Sequence, residues 1–238
     1  MSLRAGAILL CAGRGERLGA GLDKALVPLA GRPLFAWSLE ALERCEAVEA
    51  IVVVGPVRTL REALAATGLA ARKVVAWTEG GDERQHSVGR GLHVLPGDCD
   101  VVAVHDCARA LVSPEVIART IEAARAHGAA IAAVPLADTL KRVEDGRITA
   151  TPPREGLWRA QTPQAFRLDW LLAAHEAAAR DRRLATDDAA LVEAIGHPVR
   201  VTAGDPMNLK IMTPDDLSLA EAWLARRSVA AERGGGAR

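Results

Sequence analysis

Five short runs along the chain are almost wholly apolar: Ala7–Cys11, Ile51–Val54, Lys73–Trp77, Val101–His105 and Ala130–Val134. Each is too short for a typical globular helix, and helical patterns lie between them, so they read as buried strands alternating with helices. Pro33–Arg44 is one such helix, with Leu34, Trp37, Ala41 and Leu42 on one side. Ser113-Pro114-Glu115 is a helix start: the serine oxygen caps free N–H groups and proline suits the first turn. The helix it opens directs Val116, Ile117, Thr120, Ile121 and Ala124 to a core and is expected to end near Gly128. Thr213-Pro214-Asp215-Asp216 opens a last helix in the same way, its two carboxylates complementing the positive end. Strands that are apolar throughout must be covered on both faces. The expected fold is therefore α/β, a mostly parallel sheet flanked by helices, with ligands beyond the carboxyl ends of its strands.

The alternation breaks once. Leu140–Ala150 (LKRVEDGRITA) carries a hairpin signal, with Asp145-Gly146 suited to a type I′ turn. Its arms are polar, and a lone two-stranded hairpin is marginal in water. A protruding β-hairpin arm, about residues 136–156, is therefore read either as a solvent-exposed flap or as an element that rests on another part of the chain or on a second copy, the last being favoured and making a homodimer. The chain reads as a single domain over residues 1–227, followed by a disordered, glycine-rich tail at 228–238.

Charge narrows the partners. Thirty basic residues balance thirty acidic ones over 238 positions, so no global field favours nucleic acid or an anionic membrane. The absence of Tyr and the presence of only two Phe argue against stacking platforms for single strands. Cys11, Cys45, Cys99 and Cys107 form no C-x-x-C pair and make no metal-ligand spacing with the six histidines, which speaks against zinc. No stretch reads as a signal peptide or a membrane span, and a cytoplasmic location is expected.

Candidate chemistry begins where the first strand ends. Ala7–Gly19 (AILLCAGRGERLG) runs from a buried strand into a glycine-rich loop carrying Arg14 and Arg17, and Lys24 follows. Gly13 and Gly15 let the backbone turn tightly and approach a ligand, and successive N–H groups in such a loop form an anion-binding concavity. The third glycine, Gly19, comes one residue late for a dinucleotide fingerprint, and the second strand ends in Gly55-Pro56 without a ribose-binding carboxylate. Lys24 is followed by Ala25, so the loop is no Walker A motif either. Such a loop could be a plain turn between strand and helix, but the two arginines within it and the lysine beyond point to a ligand, and the chemistry suggested is triphosphate binding with reaction at phosphorus.

Further clusters follow: GGDERQHSV from Gly80, His105-Asp106-Cys107-Ala108-Arg109, Asp138-Thr139-Leu140-Lys141, the REGLW run from Arg154 with Thr162-Pro163-Gln164, Thr186-Asp187-Asp188, and Asn208-Leu209-Lys210 leading into Thr213–Leu217. In this order, over roughly Ala5–Arg226, the chain resembles the 2-C-methyl-D-erythritol 4-phosphate cytidylyltransferase family. The resemblance implies a Rossmann-like fold whose β-arm interlocks two subunits. It also implies cytidylyl transfer from CTP to 2-C-methyl-D-erythritol 4-phosphate with Mg2+, releasing pyrophosphate, in the non-mevalonate isoprenoid pathway. By this resemblance Arg17, Lys24 and Lys210 are the catalytic cations. Ala12, Gly13, Gly15, Gly81, Asp82 and Ser87 would bind the nucleotide, and Asp106 would lie at the ribose, the phosphates and the metal. Arg109, Thr139, Thr162, Thr186 and, from the other subunit's arm, Arg154 would hold the methylerythritol phosphate.

The chain departs from the family pattern at Asp23 and Ala25, where proline and glutamine are usual beside the lysine, and at Cys107 and Ala110. Two rival readings share the motifs. A ribitol-5-phosphate cytidylyltransferase has the loop, the HD-x-x-R run and the fold, but Thr139, Arg154, Thr162 and Thr186 together favour methylerythritol phosphate. A non-catalytic nucleotide-binding module would have no need of Arg17, Lys24, Asp106 and Lys210 at once.

Overall fold

The computed structural model describes residues 4–13 and 23–234. In chain order, β1 (Ala5–Leu10), a 3-10 turn (Lys24–Leu26), β2 (Pro28–Leu29), β3 (Arg32–Pro33) and α1 (Leu34–Arg44) come first. Then β4 (Ala50–Val54), α2 (Val57–Thr67), β5 (Val74–Thr78), α3 (Arg84–Val94), β6 (Val101–Asp106) and α4 (Pro114–His127) alternate strictly. The chain continues through β7 (Ala129–Pro135), β8 (Arg142–Glu144), β9 (Arg147–Ala150), β10 (Trp158–Arg167), α5 (Leu168–Arg180), α6 (Asp188–Ala194), β11 (Arg200–Ala203) and α7 (Pro214–Gly234).

Seven strands form one twisted sheet in the order β11-β7-β10-β6-β1-β4-β5. All pairings are parallel except the two made by β10. The central strands are buried along their whole length because each face supplies a separate core. Ala7, Leu9 and Cys11 of the first strand and its exit pack with Phe35 and Leu39 of α1 and Ile117 and Ile121 of α4. Ile8 and Leu10 turn the other way, toward Val88 and Leu92 of α3 and Leu171 and Ala174 of α5. This two-sided burial explains why these strands lack polar alternation, and it yields the α/β architecture anticipated from the pattern, of the Rossmann-like kind that the family resemblance implies.

The helix punctuation follows the same logic. Ser113 caps α4, its Oγ accepting from Val116 N at 3.4 Å, and all five residues expected on its inner face are buried. Gly128 ends that helix with φ +91°, a conformation that L side chains rarely adopt. At α7, Thr213 Oγ1 accepts from Asp216 N while the Asp216 carboxylate accepts from Met212 N and Thr213 N, a reciprocal cap. On α1, Trp37 is only half-buried, its indole N–H donating to Leu29 O, and Phe35 and Leu39 fill the core instead. α7 runs to Gly234, so helix extends past Ser228, where a disordered tail was expected to begin. Ala230, Ala231, Glu232 and Arg233 favour helix and the glycine run comes after them.

The hairpin forms as expected. Asp145 (φ +48°) and Gly146 (φ +77°) supply the two positive-φ residues of a type I′ turn between β8 and β9. Every residue of both strands is exposed, Val143 and Ile148 among them.

Ser113→Ala removes one side-chain acceptor from the start of α4. A loss of about 1 kcal/mol in unfolding free energy is expected from denaturant titration, with an unchanged m-value.

Candidate active site

From β1 the chain proceeds to β4 and β5 on one side of the sheet and then returns to β6 on the other. The carboxyl ends of β1 and β6 therefore diverge at a switch point, where crevices open in sheets of this kind. A cleft of about 630 Å3 lies there. Eight of the residues singled out from the sequence line it together: Ala12, Gly13, Lys24, Gly81, Asp82, Ser87, Asp106 and Lys210. Gly15 and Arg17 lie outside the described residues.

One wall is the turn before α3. A Cβ on Gly80 would overlap the Cβ of Ala12, so only glycine lets this turn close against the exit of β1. Ser87 Oγ accepts from Gly81 N at 3.0 Å and donates to Glu83 O at 3.3 Å. Its hydroxyl thus shapes the turn from within.

The floor is electrostatic. Asp106, at the end of β6, takes Lys210 Nζ on Oδ2 at 2.7 Å and Arg84 Nε on Oδ1 at 3.1 Å. Arg84 also pairs through Nη1 with Asp188 Oδ2 at 2.6 Å, and the other Asp188 oxygen lies 3.1 Å from His175 Nε2. Burial by itself pushes both carboxyls up. Arg84 together with Lys210 overcomes this at Asp106, and Arg84 with His175 at Asp188, so both are held below the usual carboxylate range. Arg84, quoted within GGDER but given no role from sequence, is thus the link between the cleft carboxylate and a buried one. Its Nη2 has no hydrogen-bond partner among the described residues. Lys24 is buried, its Nζ 2.8 Å from Met212 Sδ.

The residues expected to hold the second substrate are dispersed. Thr162 lies behind Asp106, its Oγ1 accepting from Asp106 N at 3.1 Å and lying 3.1 Å from His105 Nδ1. Arg109 donates to Asn208 O at 2.8 Å and Ala160 O at 3.1 Å, with Nε buried and unpartnered among the described residues. Thr139, Arg154 and Thr186 are exposed, and Arg154 donates to Ala137 O across the base of its own arm. None of these five lines the cleft formed by a single chain.

Residues 6–226 match the model of the IspD family, 2-C-methyl-D-erythritol 4-phosphate cytidylyltransferase. The chain belongs to this family. A relative of that name from Synechococcus sp. (strain WH7803) is 46% identical over 221 residues, covering 92% of this chain and 99% of its own. Another, from Geobacillus kaustophilus, is also 46% identical, over 93% of this chain and 97% of its own. Among solved structures, the 2-C-methyl-D-erythritol 4-phosphate cytidylyltransferase of Thermus thermophilus superposes with a TM-score of 0.75 at 36% identity, covering 93% and 99% of the two chains. The 4-diphosphocytidyl-2C-methyl-D-erythritol synthase of Anaerococcus prevotii gives 0.81 at 27% identity, covering 94% and 99%.

Within this family frame the departures have definite positions. Asp23 lines the cleft beside Lys24, and Cys107 lines it while buried next to Cys11. Among the described residues no three His, Cys, Asp or Glu side chains gather as a metal cage, and no helix is long and apolar enough to cross a membrane. Asp106, held ionised between Arg84 and Lys210, faces the cleft, and Asp23, Glu79, Asp82 and Glu83 also line it. That suits Mg2+, which binds through one or two carboxylates while phosphates and water supply the rest.

Burial pushes the His105 imidazole down to about 4, with Asp106 opposing and Arg109 reinforcing the shift. Between pH 6.5 and 4 the unfolded chain then binds a proton that the folded chain refuses, so stability falls on acidification through that window. At most about 3 kcal/mol is expected from this group. Denaturant unfolding at successive pH values should show a shallower acid loss for His105→Asn than for the unaltered protein; parallel curves would contradict the assignment.

Proposed function

We propose that this protein transfers the cytidylyl group of CTP to 2-C-methyl-D-erythritol 4-phosphate, releasing pyrophosphate, in the non-mevalonate isoprenoid pathway. One observation carries the reading: Lys24, Lys210, Asp106 and the Gly80-Gly81 turn share a cleft at the switch point of a chain of this family. A phosphate oxygen of the acceptor attacks the α-phosphorus of CTP in line with the departing pyrophosphate. Both reactants are strongly anionic, so repulsion opposes their meeting. Lys24 and Lys210, with Arg17 assigned by family resemblance, offset that repulsion and stabilise the charge on the non-bridging oxygens as the five-coordinate arrangement forms. The acceptor phosphate is already ionised near neutrality, so no side chain need act as a general base.

Asp106 would hold Mg2+ together with the CTP phosphates, and the ion supplies further neutralisation of phosphate charge. Lys210 and Arg84 keep that carboxylate ionised in readiness. Ala12, Gly13, Gly81 and Asp82 surround the nucleotide, with Gly15 assigned there by family resemblance. Backbone carbonyls near Ala12 and Gly81 accept from the cytosine amino group, and a base lacking that donor leaves them unpaired. Ser87 serves this selection by fixing the turn. Arg109, Thr139, Thr162 and Thr186, with Arg154 of the partner subunit, form the acceptor site, which is completed by arm exchange in a homodimer.

A pyrophosphate-release assay with CTP or UTP, each offered 2-C-methyl-D-erythritol 4-phosphate or ribitol 5-phosphate, tests the reading. Turnover is expected with CTP and the methylerythritol acceptor; comparable rates with UTP or with ribitol phosphate contradict the specificity. Lys24→Ala and Lys210→Ala should each lower kcat about a hundred- to a thousand-fold, or roughly 2.7–4 kcal/mol, with smaller effects on KM. Removing residues 141–149 should convert the protein to a monomer in sedimentation, and a persistent dimer would refute exchange through the arm.

A further inference from the structure

A second cavity, about 710 Å3, lies between α3 and α5 on the far side of the Arg84–Asp188 ion pair. Its wall carries Arg90, Arg182, Arg183, His86, His93 and His175, and among the described residues no acidic side chain lines it. Asp181, which does not line it, approaches Arg183 Nη2 only to 3.7 Å. Val94, Ala178, Ala179 and Leu184 give the wall an apolar portion, Leu184 being left 63% exposed, and Thr78 and Gln85 are its uncharged polar members. Gln85 preforms the enclosure, because its Nε2 donates to Arg183 O and its Oε1 accepts from Ala185 N, fastening the loop after α5 to α3.

Cations around an apolar wall in a preformed hollow select for a particular chemistry: an anionic group on an apolar body. Planar guanidinium groups favour phosphate through paired N–H donors. We infer that this cavity is a second ligand site, taking a phosphate ester with an apolar body, and that its occupancy is felt in the nucleotide cleft. The route is short. Arg90 donates through Nη1 to the carbonyl of Gly80, which lines the cleft. A ligand phosphate that draws Arg90 away loosens the turn closing against Ala12, and so weakens CTP binding. The site stands apart from the catalytic assignment, and its occupancy can be measured whether or not the protein turns over.

The probe is 1-naphthyl phosphate, titrated calorimetrically into the full chain. One equivalent should bind, and 1-naphthol, lacking the charge, should bind at least tenfold more weakly. The Arg182→Glu/Arg183→Glu double variant, altered on an exposed loop away from the nucleotide cleft, should also lose at least tenfold in affinity. In steady-state assays the probe should raise the KM for CTP at least twofold in the unaltered protein and leave it unchanged in the double variant. Undiminished affinity in that variant, or equal binding of 1-naphthol, would overturn the site. A KM increase that persists in the variant would assign the probe to the CTP cleft instead, and a constant KM despite binding would overturn the link through Arg90.

Discussion

Everything in the cleft is arranged around one buried carboxylate. Asp106 ends β6 at 8% exposure, where an isolated negative charge would be expensive, and it stays ionised because Lys210 and Arg84 each take one of its oxygens. Arg84 in turn is tied down by Asp188, which a hydrogen bond from its own backbone N–H to Gln164 and a contact with His175 hold from behind. The four-group chain from His175 to Asp106 runs from α5 through Asp188 of α6 and Arg84 of α3 to the end of β6. It makes the position of the cleft carboxylate depend on α5 and α6, which contribute nothing to the cleft lining.

The sheet explains why these groups meet. β1 and β6 lie side by side in register, Leu10 opposite Asp106, and their chains part just beyond. Burial on both faces makes the strands rigid supports, while the residues that follow them escape the packing constraint and carry the chemistry. The turn from Gly80 closes the space from the β4–β5 side, and the segment before α7 closes it from the other.

Much of this was legible because burial writes a plain pattern. Strands covered on two sides are apolar throughout, and β1, β4, β6 and β7 can be read directly from that; β5, expected to be buried on the same ground, is the edge strand of the sheet and is only partly covered, with Val75 51% exposed. β10 escapes the same reading: Gln161-Thr162-Pro163-Gln164 is polar and holds a proline, which ordinarily argues against an inner strand. The structure accommodates it where the pairing of β10 with β7 shifts register. At the site, the family resemblance pointed to eight residues that do line one cleft. Arg84 lay in plain view, yet its partner Asp188 is 104 positions away, and no local spacing signals such a pair. Thr162 and Ser87 have hydroxyls turned inward to backbone N–H groups, a direction that only coordinates reveal.

The cleft draws on both extremes of the chain. Its first wall follows β1, near residue 12, whereas Lys210 and Met212 belong to the segment fastened by the reciprocal cap at Thr213 and by Ile211 in a small cluster with Val27, Leu29 and Leu34. Translation therefore cannot yield a working molecule in stages. A nascent polypeptide with Arg84 already beside Asp106 still lacks Lys210 on the other carboxylate oxygen, and the cleft is complete only once α7 and the segment before it have emerged from the ribosome and docked.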